Sequence, residues 1–90
     1  MREFLVEDNL RKTLQKIARK DKVMYEAVMR KFEEIVSCAD VDHYKNLRAP
    51  LQQFKRVHIK GSFVLIFKYL SSEDKVIFFE LDHHDNIYGN

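Results

Sequence analysis

The feature that most constrains the fold is an apolar run from Phe63 to Leu70, interrupted only by Lys68. A short continuous run of this kind is typical of a strand that is covered on both faces. The pair Gly61-Ser62 before the run suits a hairpin turn. A second apolar run, Val76 to Leu81, is interrupted only by Glu80 and follows the polar turn at 71–74. We therefore expect a central strand over 63–70 beside a buried strand over 76–81.

The segment from Phe54 to Lys60 alternates between apolar and polar residues, which predicts a third strand. Residues two apart on a strand share a face, so Arg56, His58 and Lys60 should form a row with steps of about 7 Å. Two cations and an imidazole in line suit a phosphodiester, because the cations bind its oxygens and the imidazole transfers protons. The alternative is a polar sheet face without chemistry.

The first half of the chain has helical spacing. A short strand at 4–6 precedes an apolar stripe that predicts a helix from Asp8 or Asn9 to about Lys20, and a second stripe predicts a helix over 22–37. The short connection between them indicates an antiparallel helical hairpin. The order β-α-α-β-β-β predicts an α+β fold, in which an N-terminal helical hairpin packs on a small antiparallel sheet. We expect residues 1–90 to form one domain.

Acidic residues are unevenly distributed. Residues 1–42 contain nine basic and nine acidic side chains, whereas no Asp or Glu occurs from His43 to Ser72. An acid-free basic segment is typical of a surface that binds a polyanion such as nucleic acid. The alternative is that strands disfavour Asp and Glu in any case. The cations of the segment are Lys45, Arg48, Lys55, Arg56, Lys60 and Lys68.

The composition predicts a cytoplasmic protein without membrane association. The single cysteine, Cys38, excludes an internal disulfide, which fits a reducing compartment. The N-terminus shows no apolar stretch of the kind found in signal peptides. No apolar run approaches the roughly 20 residues that a membrane-spanning helix needs.

The C-terminal segment Asp82-His83-His84-Asp85-Asn86-Ile87-Tyr88 is the second candidate for chemistry. Adjacent histidines at a strand end point in different directions, so at most one of them should face a given site. Metal binding is an alternative, but the chain offers no second pair of ligands at metal-binding spacing. We therefore expect a site without metal or cofactor, with Tyr88 either stacking on a base or pinning the chain end.

The inventory of candidate groups favours RNA over DNA as a substrate. The chain has no glycine-rich phosphate loop and no paired carboxylates in its basic segment. RNA carries its own nucleophile, the 2′-hydroxyl, and needs only a base, an acid and charge stabilisation from the protein. DNA lacks this internal nucleophile.

Several of these motifs resemble the RelE/ParE superfamily of toxin–antitoxin toxins, and the YafQ-like branch in particular. The resemblance rests on Tyr44-Lys45-Asn46, on Pro50-Leu51-Gln52, on the strand containing His58 with the apolar strand after it, and on the ending His84-x-x-x-Tyr88. It covers nearly the whole chain. The strand and C-terminal motifs are more specific than the helical half.

The resemblance implies a RelE-type mRNA interferase, a metal-free endoribonuclease that cleaves mRNA in the ribosomal A site. By this analogy His84 protonates the leaving 5′-oxygen or moves a proton in another step, and His58 is a base or second proton carrier. Arg56 and Lys60 would hold the phosphate, and Tyr88 would stack on or orient a base. The division of roles between the two histidines stays open. The remaining expected RNA-binding residues are Lys55, Arg48, Lys45 and His83.

The resemblance also implies partners. These would be the ribosome, its mRNA and a cognate antitoxin, with a toxin–antitoxin heterotetramer as one assembly. Two alternatives are a ParE-like toxin that poisons DNA gyrase and an inactive relative that binds RNA or protein. The sequence departs from the family pattern at Val64, where many members have arginine, and at Ala49, where YafQ-like members have histidine. These departures predict a thinner catalytic set.

Overall fold

The computed structural model describes residues 1–88, with only the backbone described for Tyr88. The elements in chain order are β1 (Glu3–Val6), α1 (Asp8–Lys20), α2 (Lys22–Ser37), a 3₁₀ turn (Val41–His43), β2 (Lys55–Ile59), β3 (Phe63–Leu70), a second 3₁₀ turn (Ser71–Glu73), β4 (Lys75–His83) and α3 (His84–Tyr88).

The helical hairpin confirms the sequence prediction. Asp21 separates the two helices, and its side chain accepts a hydrogen bond from the Met24 backbone nitrogen at 3.0 Å, which caps the start of α2. The predicted apolar stripes are the buried faces of both helices. Their fully buried members include Leu10, Val28 and Ile35. The hairpin therefore forms because each helix has one apolar face to bury.

The sheet is mixed, with the strand order β1-β4-β3-β2. The pairs β2–β3 and β3–β4 are antiparallel, as predicted. The expectation of a wholly antiparallel sheet is wrong for β1, which pairs parallel to β4 with Val6 opposite Phe78. A four-residue strand does not encode the direction of its partner. The direction of β1 depends on the position at which β1 joins the sheet once the helical hairpin has packed on it.

Strand ends differ slightly from the predictions. β2 stops at Ile59 because Lys60 and Gly61 both adopt positive φ, 53° and 78°, and turn the chain into β3. β4 begins one residue before and ends two residues after the predicted range of 76–81. The last two residues of β4, Asp82 and His83, are polar and were expected to lie beyond the strand. Because of the added length, α3 begins directly at the end of β4, which is an inner strand of the sheet.

The two faces of the sheet have different neighbours. Paired residues share a face, so the register places Leu65, Phe67 and Phe78 against the helices, where Phe78 stacks on Phe32 with ring centroids 3.9 Å apart. Val64 and Ile66 lie on the opposite face and are nevertheless buried. Two segments cover this second face: the loop that precedes β2, and the helix α3. The candidate site lies between these two segments.

No helix among residues 1–88 is both long and apolar enough to cross a membrane.

Candidate active site

A groove of about 720 Å³ lies on the face of the sheet that points away from the helical hairpin. Three segments form it: the loop before β2, β2 itself and α3. It is lined by Asn46, Leu47, Arg48, Leu51, Arg56, His58, His84 and Ile87. Two arginines and two histidines thus converge on one concave surface, and no carboxylate is among its lining residues.

Alternation along β2 delivers Arg56 and His58 to this groove. The register pairs Arg56 with Ile66 and His58 with Val64, so all four side chains lie on the same side of the sheet. Val64 and Ile66 are buried beneath the two polar side chains. Arg56 and His58 therefore project from the edge strand β2, next to packed apolar side chains of the central strand β3.

Hydrogen bonds at the end of β4 position α3. One oxygen of Asp82, Oδ1, accepts from the His83 backbone nitrogen at 2.7 Å and from Asn86 Nδ2 at 2.9 Å. The His84 backbone nitrogen donates to the Ser62 carbonyl in the β2–β3 turn at 2.7 Å. These contacts attach the short helix to the sheet. His84 and Ile87, one helical turn apart, consequently both face the groove.

The central relationship of the groove is between His58 and His84. Their ring centroids lie 5.4 Å apart, and their planes are 30° apart. The carboxylate Oδ1 of Asp85 lies 3.7 Å from His84 Nδ1, within ion-pair distance when the imidazole is protonated. Two imidazoles at this separation are close enough to reach oxygens of the same phosphate group, one as a proton acceptor and the other as a proton donor.

His83 points elsewhere. Its ring packs edge-on against Phe63 with centroids 5.7 Å apart, and its Nδ1 accepts a 3.3 Å hydrogen bond from the Asp85 backbone nitrogen. It shares the helix-side face with Phe63, its register partner. The prediction that the adjacent histidines diverge is confirmed. The expected RNA contact of His83 has no support in this groove, which His83 does not line.

The loop before β2 supplies one wall. Arg48 lines the groove as expected, with Leu47 and Leu51 beside it. The loop is closed by hydrogen bonds from Leu47 N to the Phe54 carbonyl and from Leu51 N to the Arg48 carbonyl, both 2.9 Å. Lys45 is exposed outside the groove, and its carbonyl accepts a hydrogen bond from Arg56 N.

Lys55 does not lie where its charge suggested. It is the one buried charged residue in the described part of the chain, 5% exposed. Its ammonium donates to the Tyr44 carbonyl at 3.1 Å and to Asn46 Oδ1 at 3.0 Å, and it lies 3.5 Å from Asp42 Oδ1. The alternation that brings Arg56 and His58 to the groove turns Lys55 to the other face. Lys55 is therefore corrected from an RNA contact to a buried anchor of the loop.

Lys60 also leaves the expected row. Its positive φ takes it out of the strand alternation, and it does not line the groove with Arg56 and His58. It borders a smaller cleft of about 360 Å³ instead, together with Arg30 and Lys31 of α2. His58 lines both the groove and this cleft.

A hydrogen bond between Tyr44 and Glu34 joins the loop to α2. The Tyr44 hydroxyl donates to Glu34 Oε2, and this bond is the main reason why the pKa of Glu34 is lowered. Burial, followed by the same hydrogen bond, raises the pKa of Tyr44. Glu34 also accepts from Lys31 at 3.0 Å. The one carboxylate that lines the smaller cleft is thus engaged by two partners.

Several residues that line the groove were not predicted from the sequence, and one predicted side chain lies outside the described residues. Asn46, Leu47, Leu51 and Ile87 line the groove without having been singled out as contacts. The i, i+3 spacing of His84 and Ile87 was a usable signal, but only if the tail had been predicted helical. The side chain of Tyr88 lies outside the described residues. Among the residues that the structure describes, no three His, Cys, Asp or Glu side chains could hold a metal ion.

Comparison with known proteins identifies the family. A Methanocaldococcus jannaschii protein named "Putative toxin RelE4" is 49% identical over 88 residues, which cover 98% of this chain and 92% of that protein. The chain belongs to the RelE family of toxins. No family model matches the chain.

Solved structures of RelE-family toxins share the fold. A YafQ variant from E. coli superimposes with a TM-score of 0.74 at 13% identity, covering 99% of this chain and all of that one. The RelBE2 toxin–antitoxin complex from Mycobacterium tuberculosis gives 0.73 at 18% identity, with 92% and 98% covered. The predicted RelE-like α+β fold is therefore confirmed.

Proposed function

We propose that this RelE-family chain is the toxin of a toxin–antitoxin pair and that it cleaves mRNA in the ribosomal A site without a metal ion. The observation that carries the proposal is the meeting of His58, His84 and Arg56 in one groove, with the two imidazole centroids 5.4 Å apart. General acid–base catalysis by two such groups accelerates phosphodiester cleavage when the substrate supplies its own nucleophile.

The proposed reaction is an intramolecular transesterification. One imidazole accepts the proton of the 2′-hydroxyl while the 2′-oxygen forms a bond to the neighbouring phosphorus. The other imidazole gives a proton to the 5′-oxygen as the bond from phosphorus to that oxygen breaks. The products are a 2′,3′-cyclic phosphate and a 5′-hydroxyl end. We assign the proton donor to His84 and the acceptor to His58.

Arg56 supplies the charge that this reaction needs. The phosphorane that forms during attack carries two negative charges, and a guanidinium holds two of its oxygens at once. Arg48 on the facing wall would hold a neighbouring phosphate. Leu51 and Ile87 offer apolar surface on which the flanking bases can pack.

The antitoxin partner is supported by the solved relatives, since RelBE complexes from M. tuberculosis and E. coli have this fold in their toxin chains. This chain offers a matching surface, an apolar cleft of about 700 Å³ between β1 and the two long helices. Phe4, Leu14 and Met29 are among its lining residues, which suits the apolar face of an amphipathic helix. Acidic residues of the same partner would neutralise the basic groove. A heterotetramer of toxin and antitoxin is one such assembly.

The decisive experiment is induced expression in a bacterial host of wild type, His84→Ala and His43→Ala, with primer extension on two reporter mRNAs. One reporter is translated, and the other lacks its start codon. His43 is the matched control, because it is an exposed histidine beside Tyr44 and does not line the groove. We expect growth arrest and cuts inside codons of the translated reporter for wild type and His43→Ala, and neither for His84→Ala.

Other outcomes reject the proposal in distinct ways. Arrest by all three proteins with intact mRNA would indicate a toxin that works without cleavage, such as a gyrase poison. Equal cutting of both reporters would retain the nuclease and reject ribosome dependence. Absence of arrest and cleavage by wild type would indicate a relative that only binds RNA or protein.

A further inference from the structure

A second basic surface lies next to the groove, on its far side from α3. This α2 cleft is the smaller depression of about 360 Å³, lined by Ala27, Arg30, Lys31, Glu34, His58, Ile59 and Lys60. Three of these residues are cations: Arg30 and Lys31 belong to α2, and Lys60 lies in the β2–β3 turn. The proposed reaction uses none of them.

The α2 cleft is continuous with the groove because His58 lines both. A strand of RNA whose phosphate lies between His58 and His84 can therefore continue past His58 without leaving basic surface. Arg48 and Arg56 line the first part of this path, and Arg30 and Lys60 line the second. Positive side chains spaced along one groove are the arrangement that single-stranded nucleic acids require.

The acidic content of the α2 cleft does not offset these cations. Glu34 is the one carboxylate among its lining residues, and it accepts hydrogen bonds from both the Tyr44 hydroxyl and Lys31. Glu34 therefore largely neutralises Lys31. Arg30 and Lys60 remain as exposed cations at the rim of the cleft.

The conformation of Lys60 is a second, independent indication. Lys60 has a φ of 53°, a left-handed conformation that costs a side chain other than Gly, Asn or Asp free energy. Asn followed by Gly is the preferred pair for two successive positive φ values, yet here Lys precedes Gly61. A turn selected for stability alone would have Asn at position 60. Strain of this kind is a feature of functional sites.

We propose that the α2 cleft binds the phosphate backbone of the same RNA strand that the groove cleaves, with Arg30 and Lys60 as its phosphate contacts. The proposal rests on the proposed function for its substrate class. It adds a binding site for the flanking nucleotides. Long substrates should consequently bind more tightly than the groove alone allows.

The test measures binding, so that it is independent of cleavage. Fluorescence anisotropy would follow fully 2′-O-methylated single-stranded RNAs of about 4 and about 12 nucleotides, which lack the 2′-hydroxyl nucleophile. The double variant Arg30→Gln/Lys60→Gln would be compared with wild type over a range of salt concentrations. The control is Lys16→Gln/Lys20→Gln, which removes the same charge from exposed positions on α1.

For the long RNA, we expect the α2-cleft variant to lose about 0.7 in the slope of log K against log salt for each phosphate contact removed. Two lost contacts change the slope by about 1.4, so the ratio of the wild-type to the variant association constant should grow about 25-fold when salt is lowered tenfold. The short RNA and the α1 control should behave as wild type does. Equal losses for both RNA lengths, or equal losses in the α1 control, would overturn the proposal.

Lys60→Asn gives the second test. A phosphate contact held in a strained turn predicts weaker long-RNA binding together with an unchanged or higher Tm. A lower Tm, or unchanged long-RNA binding, would overturn the assignment of Lys60. If the α2-cleft variant lost affinity for ribosomes but not for the long RNA, the cleft would be assigned to ribosomal RNA. That result would reject a path for the same RNA strand. A chain that binds long RNA through this cleft but cuts no mRNA would retain this inference and reject the proposed function.

Discussion

His58 near the end of β2 and His84 at the start of α3 have imidazole centroids 5.4 Å apart. The strand alternation of β2 and the hydrogen bonds at the end of β4 are both needed for this contact. A pair of imidazoles beside Arg56 is the minimum set for metal-free cleavage of RNA through its 2′-hydroxyl.

The first prediction concerns the two histidines of the groove, to which we assign proton transfer. His58→Ala and His84→Ala should each reduce the rate of mRNA cleavage by about 10²–10⁴-fold, since each removes one proton-transfer group. The double variant should cost less than the product of the two, because the groups act as a unit. Single-turnover cleavage of mRNA on purified ribosomes measures all three. Fully multiplicative losses would contradict a shared reaction step.

The second prediction separates the adjacent histidines. His83→Ala should retain cleavage within a few-fold of wild type, because His83 packs against Phe63 on the other face. His84→Ala should reduce it by about 10²–10⁴-fold. The pair is a matched comparison, since the two substitutions are neighbours and have the same chemistry. Greater loss from His83→Ala than from His84→Ala, measured by the same primer extension, would mean that the wrong ring has been assigned to the groove.

The third prediction concerns the buried lysine. Lys55→Met should lower the free energy of unfolding by about 1–3 kcal/mol, because the Tyr44 carbonyl and Asn46 Oδ1 lose their donor. Urea denaturation of the purified chain measures this. The control is Lys45→Met, an exposed lysine, which should stay within about 0.5 kcal/mol of wild type. Similar values for the two variants would reject the role of Lys55 as an anchor.

The fourth prediction is a pH dependence of stability. The pKa of Glu34 is lowered mainly by the Tyr44 hydroxyl, relative to an ordinary value of 4.5. A carboxyl whose pKa is lower in the folded state stabilises the fold above its unfolded pKa, and this stabilisation is lost as pH falls. The difference in free energy of unfolding between wild type and Tyr44→Phe should therefore be constant near neutral pH and shrink below about pH 4.5. A difference that grows on acidification would contradict the assigned direction.

The fifth prediction concerns the β2–β3 turn. Gly61→Ala should destabilise the fold by about 1–2 kcal/mol, because Gly61 has a φ of 78° that disfavours a Cβ atom. The cost is conformational alone, since an added Cβ would meet no atom within 4 Å. Thermal unfolding measures it, with Ser62→Ala as the neighbouring control. A cost near zero would show that the turn relaxes.

Much of the fold was predictable because the relevant signals are local. The bounds of α2 and β3 agree with the apolar periodicity of 22–37 and 63–70, since each element must bury one stripe or both faces. The parallel pairing of β1 was not predictable, because four residues do not specify the direction of their neighbour. The α3 helix was missed because five residues with a single aliphatic side chain, Ile87, have no helical stripe of their own.

The candidate site was only partly predictable. Arg56, His58, His84 and Arg48 were singled out from the sequence, and all four line one groove. Lys55, Lys45, Lys60 and His83 were singled out by the same criteria of charge or chemistry, yet none of them lines it. The charge of a side chain can be read from the sequence. The direction in which it points depends on its place in the strand alternation, on the φ of a turn residue and on its contacts when it is buried.

The sequence by itself determined the strands, the two long helices with their hairpin, and the residue types available for phosphodiester chemistry, because periodicity and composition act over a few neighbouring residues. Only the tertiary structure decided which cations face the groove and which histidine of the adjacent pair meets His58. Those choices depend on strand register and on the hydrogen bonds of Asp82 and Ser62 at the start of α3. The strand register and the hydrogen bond from the His84 backbone nitrogen to the Ser62 carbonyl join residues that are distant in the chain, and no local pattern encodes them.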